Sequence, residues 1–236
     1  MGETITSAML LAAGLGQRMR PLTLTLPKPL IKVAGRPIID YGLQALRAQN
    51  ITRVVANAHW LAEQIEDWAR TQEPQITISD ERDVLLDTGG GVKKALPLLG
   101  NNPFFVLNSD SFWTEGAEPA LSRLAQRFTD EMDCLLLLST LPASVGYEGR
   151  GDFTMDTQGR LSRRQGPHVA PFVFAGAYLV RPSLFKDAPE GAFSMNRLWD
   201  KALANGRLFG LRHDGRWLHV GTPQAIAPAE AVLKEI

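Results

Sequence analysis

The sequence predicts an α/β fold: a single Rossmann-like domain with a mixed, mostly parallel central sheet flanked by helices. Three observations carry that expectation. Short apolar runs alternate with longer amphipathic stretches as far as Leu138, the pattern of parallel strands joined by crossover helices. The chain has 236 residues, ample for a sizeable core, and no Pro-, Ser- or charge-rich linker divides it. A glycine turn, Gly14-Leu15-Gly16, comes soon after the first apolar run, at a strand end where open α/β sheets place ligands.

In chain order, residues 7–11 read as a strand and 37–49 as a helix, with Pro37 at its first position, where the missing N–H has no intrahelical partner to lose. A strand at 53–57, a helix at 61–71 and a strand at 75–79 follow. Next come a helix at 90–99, a fully apolar strand at 104–108, a helix at 119–128 and a strand at 133–138. The pieces then shorten. A hairpin is expected over 153–162 around Gln158-Gly159, then a strand at 172–180 and a turn at Pro182-Ser183. A helix at 196–205 is closed by Gly206, and strands at 207–212 and 217–221 precede a terminal helix at 223–234.

Lys plus Arg number 25 and Asp plus Glu number 25, so net charge points to neither a nucleic-acid nor an acidic-membrane partner. Cys134 is the only cysteine and sits in an apolar run, which suits a buried core thiol and excludes an internal disulfide. The polar start at 1–7 lacks a basic region followed by an apolar run, and no apolar stretch approaches roughly 18 residues; a cytoplasmic protein is expected. No repeat is present, and the hexapeptide pattern of a β-helical acyltransferase domain does not follow Gly221.

The chemistry begins at Gly14 and Gly16. Glycines let the backbone turn tightly and approach a ligand, and exposed main-chain N–H groups form a nest for anions. Arg18 offers a planar charged fork to phosphate oxygens, and Lys28, within Pro27-Lys28-Pro29-Leu30, a compact positive charge. Together they point to a polyphosphate. Met19 occupies the place of the third glycine of a dinucleotide fingerprint, and no Gly-Lys-Ser/Thr of a Walker A loop is present.

The stretches from Leu11 to Thr23 and Pro27 to Leu30 resemble the opening signature of the sugar-1-phosphate nucleotidyltransferases. Asn57-Ala58-His59-Trp60-Leu61, Asp87-Thr88-Gly89-Gly90-Gly91, Asn108-Ser109-Asp110 and Gly149-Arg150-Gly151-Asp152-Phe153 extend the likeness, which is greatest to the branch of N-acetylmuramate 1-phosphate uridylyltransferases. The resemblance implies one nucleotidyltransferase domain over 1–236, with a nucleotide-binding part at 1–112 and a sugar-phosphate-binding part at 113–236. It implies nucleotide contacts from Ala12, Ala13, Gly14, Gly16, Arg18, Lys28, Asp87, Gly89 and Asn108, sugar contacts from Gly151 and Asp152, and Arg18, Lys28 and Asp110 as the catalytic set. The partners would be a nucleoside triphosphate and a sugar 1-phosphate, in a monomer or small homo-oligomer.

Asp110 follows a buried strand, where a hard carboxylate suits magnesium held jointly with substrate phosphates. The family's second metal aspartate is replaced by His219 in Trp217-Leu218-His219-Val220-Gly221-Thr222. Three readings stand: an imidazole ligand, which would tilt selectivity toward manganese or cobalt, a rearrangement using Asp214 or water, or a packing and hydrogen-bonding role. The three glycines at 89–91 suit either a flat ring against bare backbone or a flexible helix entry with no ligand; the resemblance implies a nucleobase there, with Asp87 and Gly89 nearest to it. The family's Glu-Lys-Pro sugar-phosphate motif is not visible, which leaves Lys28, or else Arg163 and Arg164, for the acceptor phosphate; the two arginines equally suit a solvated hairpin face. Trp60 and Trp68, at helical spacing, read as core.

The activity implied is condensation of UTP with N-acetylmuramate 1-phosphate, releasing pyrophosphate, in peptidoglycan recycling. The alternatives are a guanylyl- or thymidylyltransferase acting on mannose, heptose or glucose 1-phosphate, and a catalytically silent sugar-nucleotide-binding subunit.

Overall fold

Strand β1 (Ser7–Leu11) is the apolar run that opens the chain and lies inside the main sheet, between two parallel neighbours. The structure, a computed structural model, describes residues 4–235, so the polar segment read at 1–7 lies partly outside them. After β1 come β2 (Lys32–Val33), β3 (Arg36–Pro37), α1 (Ile38–Ala48), β4 (Arg53–Ala58), α2 (Ala62–Arg70), β5 (Ile76–Asp80), α3 (Asp87–Leu99), β6 (Phe104–Asn108) and β7 (Ser111–Trp113). The second half holds α4 (Ala120–Arg127), β8 (Cys134–Thr140), β9 (Ser144–Val145), β10 (Phe153–Met155), β11 (Leu161–Arg163), β12 (Phe172–Val180), α5 (Asn196–Ala204), β13 (Leu208–Arg212), β14 (Trp217–His219) and α6 (Ile226–Lys234).

Strands β5, β4, β1 and β6 pair in parallel in that order. β12 runs against both β6 and β8, and β13 is parallel to β8, so β12 is the reversed strand between two parallel groups. The β10–β11 hairpin joins at one end of β12 through Phe153 and Phe172. Because side chains alternate across a strand, adjacent residues feed opposite layers. Leu10, Val54, Phe105, Leu107, Leu135 and Leu137 meet Ile39, Leu43, Leu46, Ile65, Leu121 and Leu124 on the face covered by α1, α2 and α4. Met9, Val55, Phe104, Val106, Leu136 and Leu138 meet Val92, Ala95, Leu99, Leu198 and Trp199 on the face covered by α3 and α5.

Helix α1 shows why these segments fold locally. Ile39, Leu43 and Leu46 fall on one stripe, Asp40 sits in the first turn and Arg47 in the last, matching the helix dipole. Each such buried side chain stabilises the fold by about 1.5–3 kcal/mol. Gly42 brings the helix close to the sheet, its missing Cβ lying 3.3 Å from Leu107. A third cluster, with Met19, Ile31, Val33, Phe112, Leu218, Val220 and Val232, lies beneath α6 and under the glycine loop.

The differences from the sequence reading are local. α3 begins at Asp87 rather than at residue 90, and the segment read as a terminal helix from 223 splits into a 3-10 turn, Pro223–Ala225, and α6. The small sheet β7-β14-β9 was not expected beyond the strand at 217–221, because two- and three-residue strands carry no readable periodicity. Gly176 breaks the register of β12 at φ +80°, where a Cβ would lie 2.4 Å from Ser111 Oγ; this irregularity lets β12 pass close to the chain just after Asp110. Cys134 is fully buried at the start of β8. No described helix is long and apolar enough to cross a membrane.

Candidate active site

A cavity of about 630 Å³ opens where β1 and β6 end, lined by Gly14, Gly16, Arg18, Lys28, Asn108 and Asp110, with Leu85, Thr88, Ser109 and Gly221. Gly16 adopts φ +61°, and a Cβ there would lie 2.8 Å from Thr23 Cγ2 and 3.1 Å from Lys28 Cβ, so both backbone and space require glycine. The chain then tightens into the 3-10 turn Gln17–Met19, with Met19 N–H donating to Gly16 O at 2.8 Å. Met19 is buried and Arg18 exposed on the cavity side.

Lys28 Nζ donates to Asp110 Oδ2 at 3.0 Å. The recessed position of Asp110 pushes its carboxyl pKa up, but Lys28, His219 and Arg18 together outweigh this and hold it below the usual carboxylate value, so Asp110 is an anion. Pairing of β14 with β7 sets His219 opposite Ser111, and Val220 N–H donates to Asp110 O at 3.0 Å. Burial lowers the His219 pKa despite the attraction of Asp110, which favours the neutral imidazole. Its Nδ1 is buried and has no hydrogen-bond partner among the described residues. An anionic carboxylate with a neutral imidazole close enough to feel its charge is a donor pair that fits a divalent cation. Among the described residues no group of three or more His, Cys, Asp or Glu side chains converges, so such an ion would complete its shell with ligand oxygens or water. Asp214 lies in a separate cleft with Thr114 and Glu235 and pairs with Arg123 at 2.8 Å.

A second cavity of about 450 Å³ adjoins the first, lined by Gly146, Tyr147, Glu148, Gly149, His219 and Thr222 among others. Arg18 and Gly221 line both. Nothing in the periodicity of the sequence marks Tyr147 or Glu148, whereas Ser109 and Gly221 fall inside motifs that were legible.

Other expected residues lie elsewhere. Ala12 and Ala13 are buried beneath the loop and line neither cavity, and the Ala12 N–H donates to Asn57 Oδ1 at 2.7 Å. Asp87 is exposed at the start of α3 and lines neither cavity. The bare faces expected at 89–91 are filled by protein: a Cβ on Gly89 would lie 2.4 Å from Phe193, on Gly90 2.3 Å from Gly191 O, and on Gly91 2.7 Å from Glu81. The Gly89 and Gly90 N–H groups both donate to Phe193 O, at 2.8 and 3.1 Å. The run is a docking face for the segment 191–195, whereas the sequence led to the expectation of a flat ring against Gly89; Thr88 and Leu85 line the cavity.

Gly151 and Asp152 also line neither cavity. Gly151 O accepts from Arg164 Nε at 3.0 Å, and Asp152 Oδ2 accepts from Phe174 N–H at 3.0 Å, which ties the β10 end to β12. Arg163 pairs with Asp200 and Asn196, so both arginines serve the surface. Trp68 is core, but Trp60 is exposed and donates its indole N–H to Thr23 O at 2.9 Å. A buried network that the sequence did not announce joins Ala12 to Asn57, Asn57 Nδ2 to Glu81 Oε1 at 2.7 Å, and Leu86 N–H to Glu81 Oε2 at 3.0 Å.

A Rossmann-like sheet with two adjoining cavities, the first opening at its strand ends beside an arginine, a lysine and an anionic aspartate, is the setting of a nucleotide-handling transferase. The chain belongs to the nucleotidyl transferase family, whose pattern it matches over residues 7–235. It is 42% identical to the N-acetylmuramate alpha-1-phosphate uridylyltransferase of Caulobacter vibrioides, covering 100% of both chains. It is 35% identical to the protein of that name from Neisseria meningitidis, covering 95% of this chain and 97% of the other. Among solved structures, a UDP-glucose pyrophosphorylase complexed with UDP-glucose superposes with a TM-score of 0.80 at 16% identity, covering 98% of this chain and 100% of that one. An inositol-1-phosphate CTP transferase from T. maritima gives 0.77 at 16% identity, with 98% of each chain covered. These two likenesses are of fold.

Proposed function

We propose that this protein transfers the uridylyl group of UTP to N-acetylmuramate α-1-phosphate, giving the UDP-sugar and pyrophosphate in peptidoglycan recycling. The observation that carries the reading is the convergence of Arg18, Lys28 and Asp110 on one cavity. The choice of uridine and muramate rests on the full-length relatives of that activity. The triphosphate takes the first cavity and the acceptor sugar the second. Apart from Gly221, the residues lining the first fall within 1–112; apart from Arg18, those lining the second fall within 113–236, which supports the division into a nucleotide part and a sugar-phosphate part. Such substrates belong to the cytoplasm.

An acceptor phosphate oxygen attacks the α-phosphorus in line, the bond to the bridging oxygen breaks, and pyrophosphate leaves with that electron pair. The nucleophile is already anionic, so no general base is needed, and the protein's work is positioning and charge neutralisation. Lys28 stabilises the α-phosphoryl group and the incoming phosphate. Arg18, between the two cavities, holds the leaving pyrophosphate. Asp110, joined by His219, would hold a divalent cation, magnesium first, with manganese or cobalt favoured by the imidazole. That ion supplies further neutralisation of the triphosphate.

Pyrophosphate release across UTP, dTTP, GTP, CTP and ATP, against N-acetylmuramate, N-acetylglucosamine, glucose and mannose 1-phosphates, tests the reading. The expected signal is confined to UTP with N-acetylmuramate 1-phosphate. A signal on another pair replaces the assigned substrates, and nucleotide binding without any release defeats the catalytic reading.

A further inference from the structure

The motif Asn57-Ala58-His59-Trp60 has no part in the transfer derived above, yet it grips the glycine loop at both ends. Asn57 takes the Ala12 N–H at 2.7 Å before the turn, and Trp60 Nε1 donates to Thr23 O at 2.9 Å after it. Gln64, on α2, donates to Thr25 O at 2.9 Å, two residues farther on. Thr23 is 1% exposed although its neighbours Leu22 and Leu24 are 41% and 54% exposed. Its hydroxyl donates to Gly16 O at 2.8 Å, the same oxygen that receives Met19 N–H. Its methyl group lies 2.8 Å from where a Cβ on Gly16 would be, too close for one to fit.

We infer that Thr23 is a positioning residue for the transfer: braced by the Trp60 indole, it fixes the Gly16 carbonyl and thereby aims Arg18 between the two cavities. The physical reason is local. A left-handed glycine has many nearby conformations, and a carbonyl held by two donors while the missing side chain's space is filled leaves it one. With Gly16 O fixed, the turn that follows packs Met19 among Leu218 and Val220 and leaves Arg18 facing the cavities. The inference rests on the proposed role of Arg18.

Steady-state pyrophosphate release by Thr23→Val, Thr23→Ser, Trp60→Phe and Arg18→Ala tests it, alone and with Arg18→Ala combined with each other variant. Thr23→Val keeps the shape and loses the hydroxyl. It should lower kcat on the order of 10- to 100-fold, as small misplacements of a charge-stabilising group do, with a thermal midpoint near that of the parent. Thr23→Ser should recover most of that loss. In the Arg18→Ala background Thr23→Val should add little, because its effect runs through Arg18. Trp60→Phe, at a partly exposed site, should lower kcat with the same lack of additivity and serves if Thr23→Val does not fold. Parent-like kcat in Thr23→Val or in a folded Trp60→Phe, or losses that multiply in the double variants, overturns the inference. Parent-like kcat in Arg18→Ala alone overturns the proposed role of Arg18 and this inference with it.

Discussion

Lys28 and Asp110, 82 positions apart in sequence, form an ion pair of 3.0 Å in the lining of the first cavity. Both charges are recessed, with 11% and 29% of their side chains exposed, so each depends on the other for compensation until a ligand arrives. Lys28→Ala should lower turnover by on the order of 100-fold or more, through lost stabilisation of developing charge. Asp110→Asn should abolish divalent-ion-dependent turnover while the circular dichroism spectrum stays that of the parent. A Lys28→Ala or Asp110→Asn enzyme with parent-like turnover would remove that residue from the catalytic set.

The contact of Gly89 with Phe193 separates a packing glycine from a base-binding one. Gly89→Ala should destabilise the protein by about 1–3 kcal/mol through overpacking, seen as a lower denaturant midpoint. Phe193→Ala in the same chain should relieve part of the clash. Unchanged stability with a raised KM for UTP would restore the base to this face.

Asn57 satisfies both the Ala12 N–H and Glu81 Oε1. Asn57→Ala leaves two buried polar groups without that partner, each costing about 1–3 kcal/mol. A urea midpoint within error of the parent's would show that the network contributes little.

His213 is 3% exposed, with Nε2 bonded to Thr114 O at 2.9 Å and Nδ1 unpartnered among the described residues. Burial lowers its pKa below the ordinary 6.5, and the Thr114 bond and Glu115 do not restore it. Below 6.5 the unfolded chain therefore binds the proton more readily than the folded one. Stability should hold above about pH 7, fall as pH drops through 6.5 toward the folded-state pKa, and lose no more on this account below it. His219, shifted the same way, adds to the slope. Thermal midpoints from about pH 7 to about pH 5.5 should fall less steeply in His213→Gln than in the parent, and an equal slope would exclude His213 as a source.

Much of the fold was legible because its strands are continuous apolar runs and its helices carry clear stripes, as β6 and α1 show. Gly14, Gly16, Arg18, Lys28, Asn108 and Asp110 were legible too, and the fold brings them to one cavity. Glycine runs announce close approach without saying what approaches, so 89–91 suggested a ligand where Phe193 and Gly191 stand. The sugar contacts expected of Gly151 and Asp152 fall a few residues beyond the second cavity. One part of that cavity's wall comes from the irregular segment 146–149, which no period marks. Trp60 read as core because spacing alone cannot distinguish a buried indole from one whose N–H braces a neighbouring loop.

Cys134, shut inside β8 with its thiol pKa driven up by burial, leaves the folded surface without a reactive sulfur. A Glu148→Cys variant, at an exposed position on the second cavity's rim, would then present the sole thiol open to a maleimide dye. Fluorescent labelling of that rim needs no prior removal of the native cysteine. Acceptor docking could be followed by a single reporter on an otherwise unaltered chain.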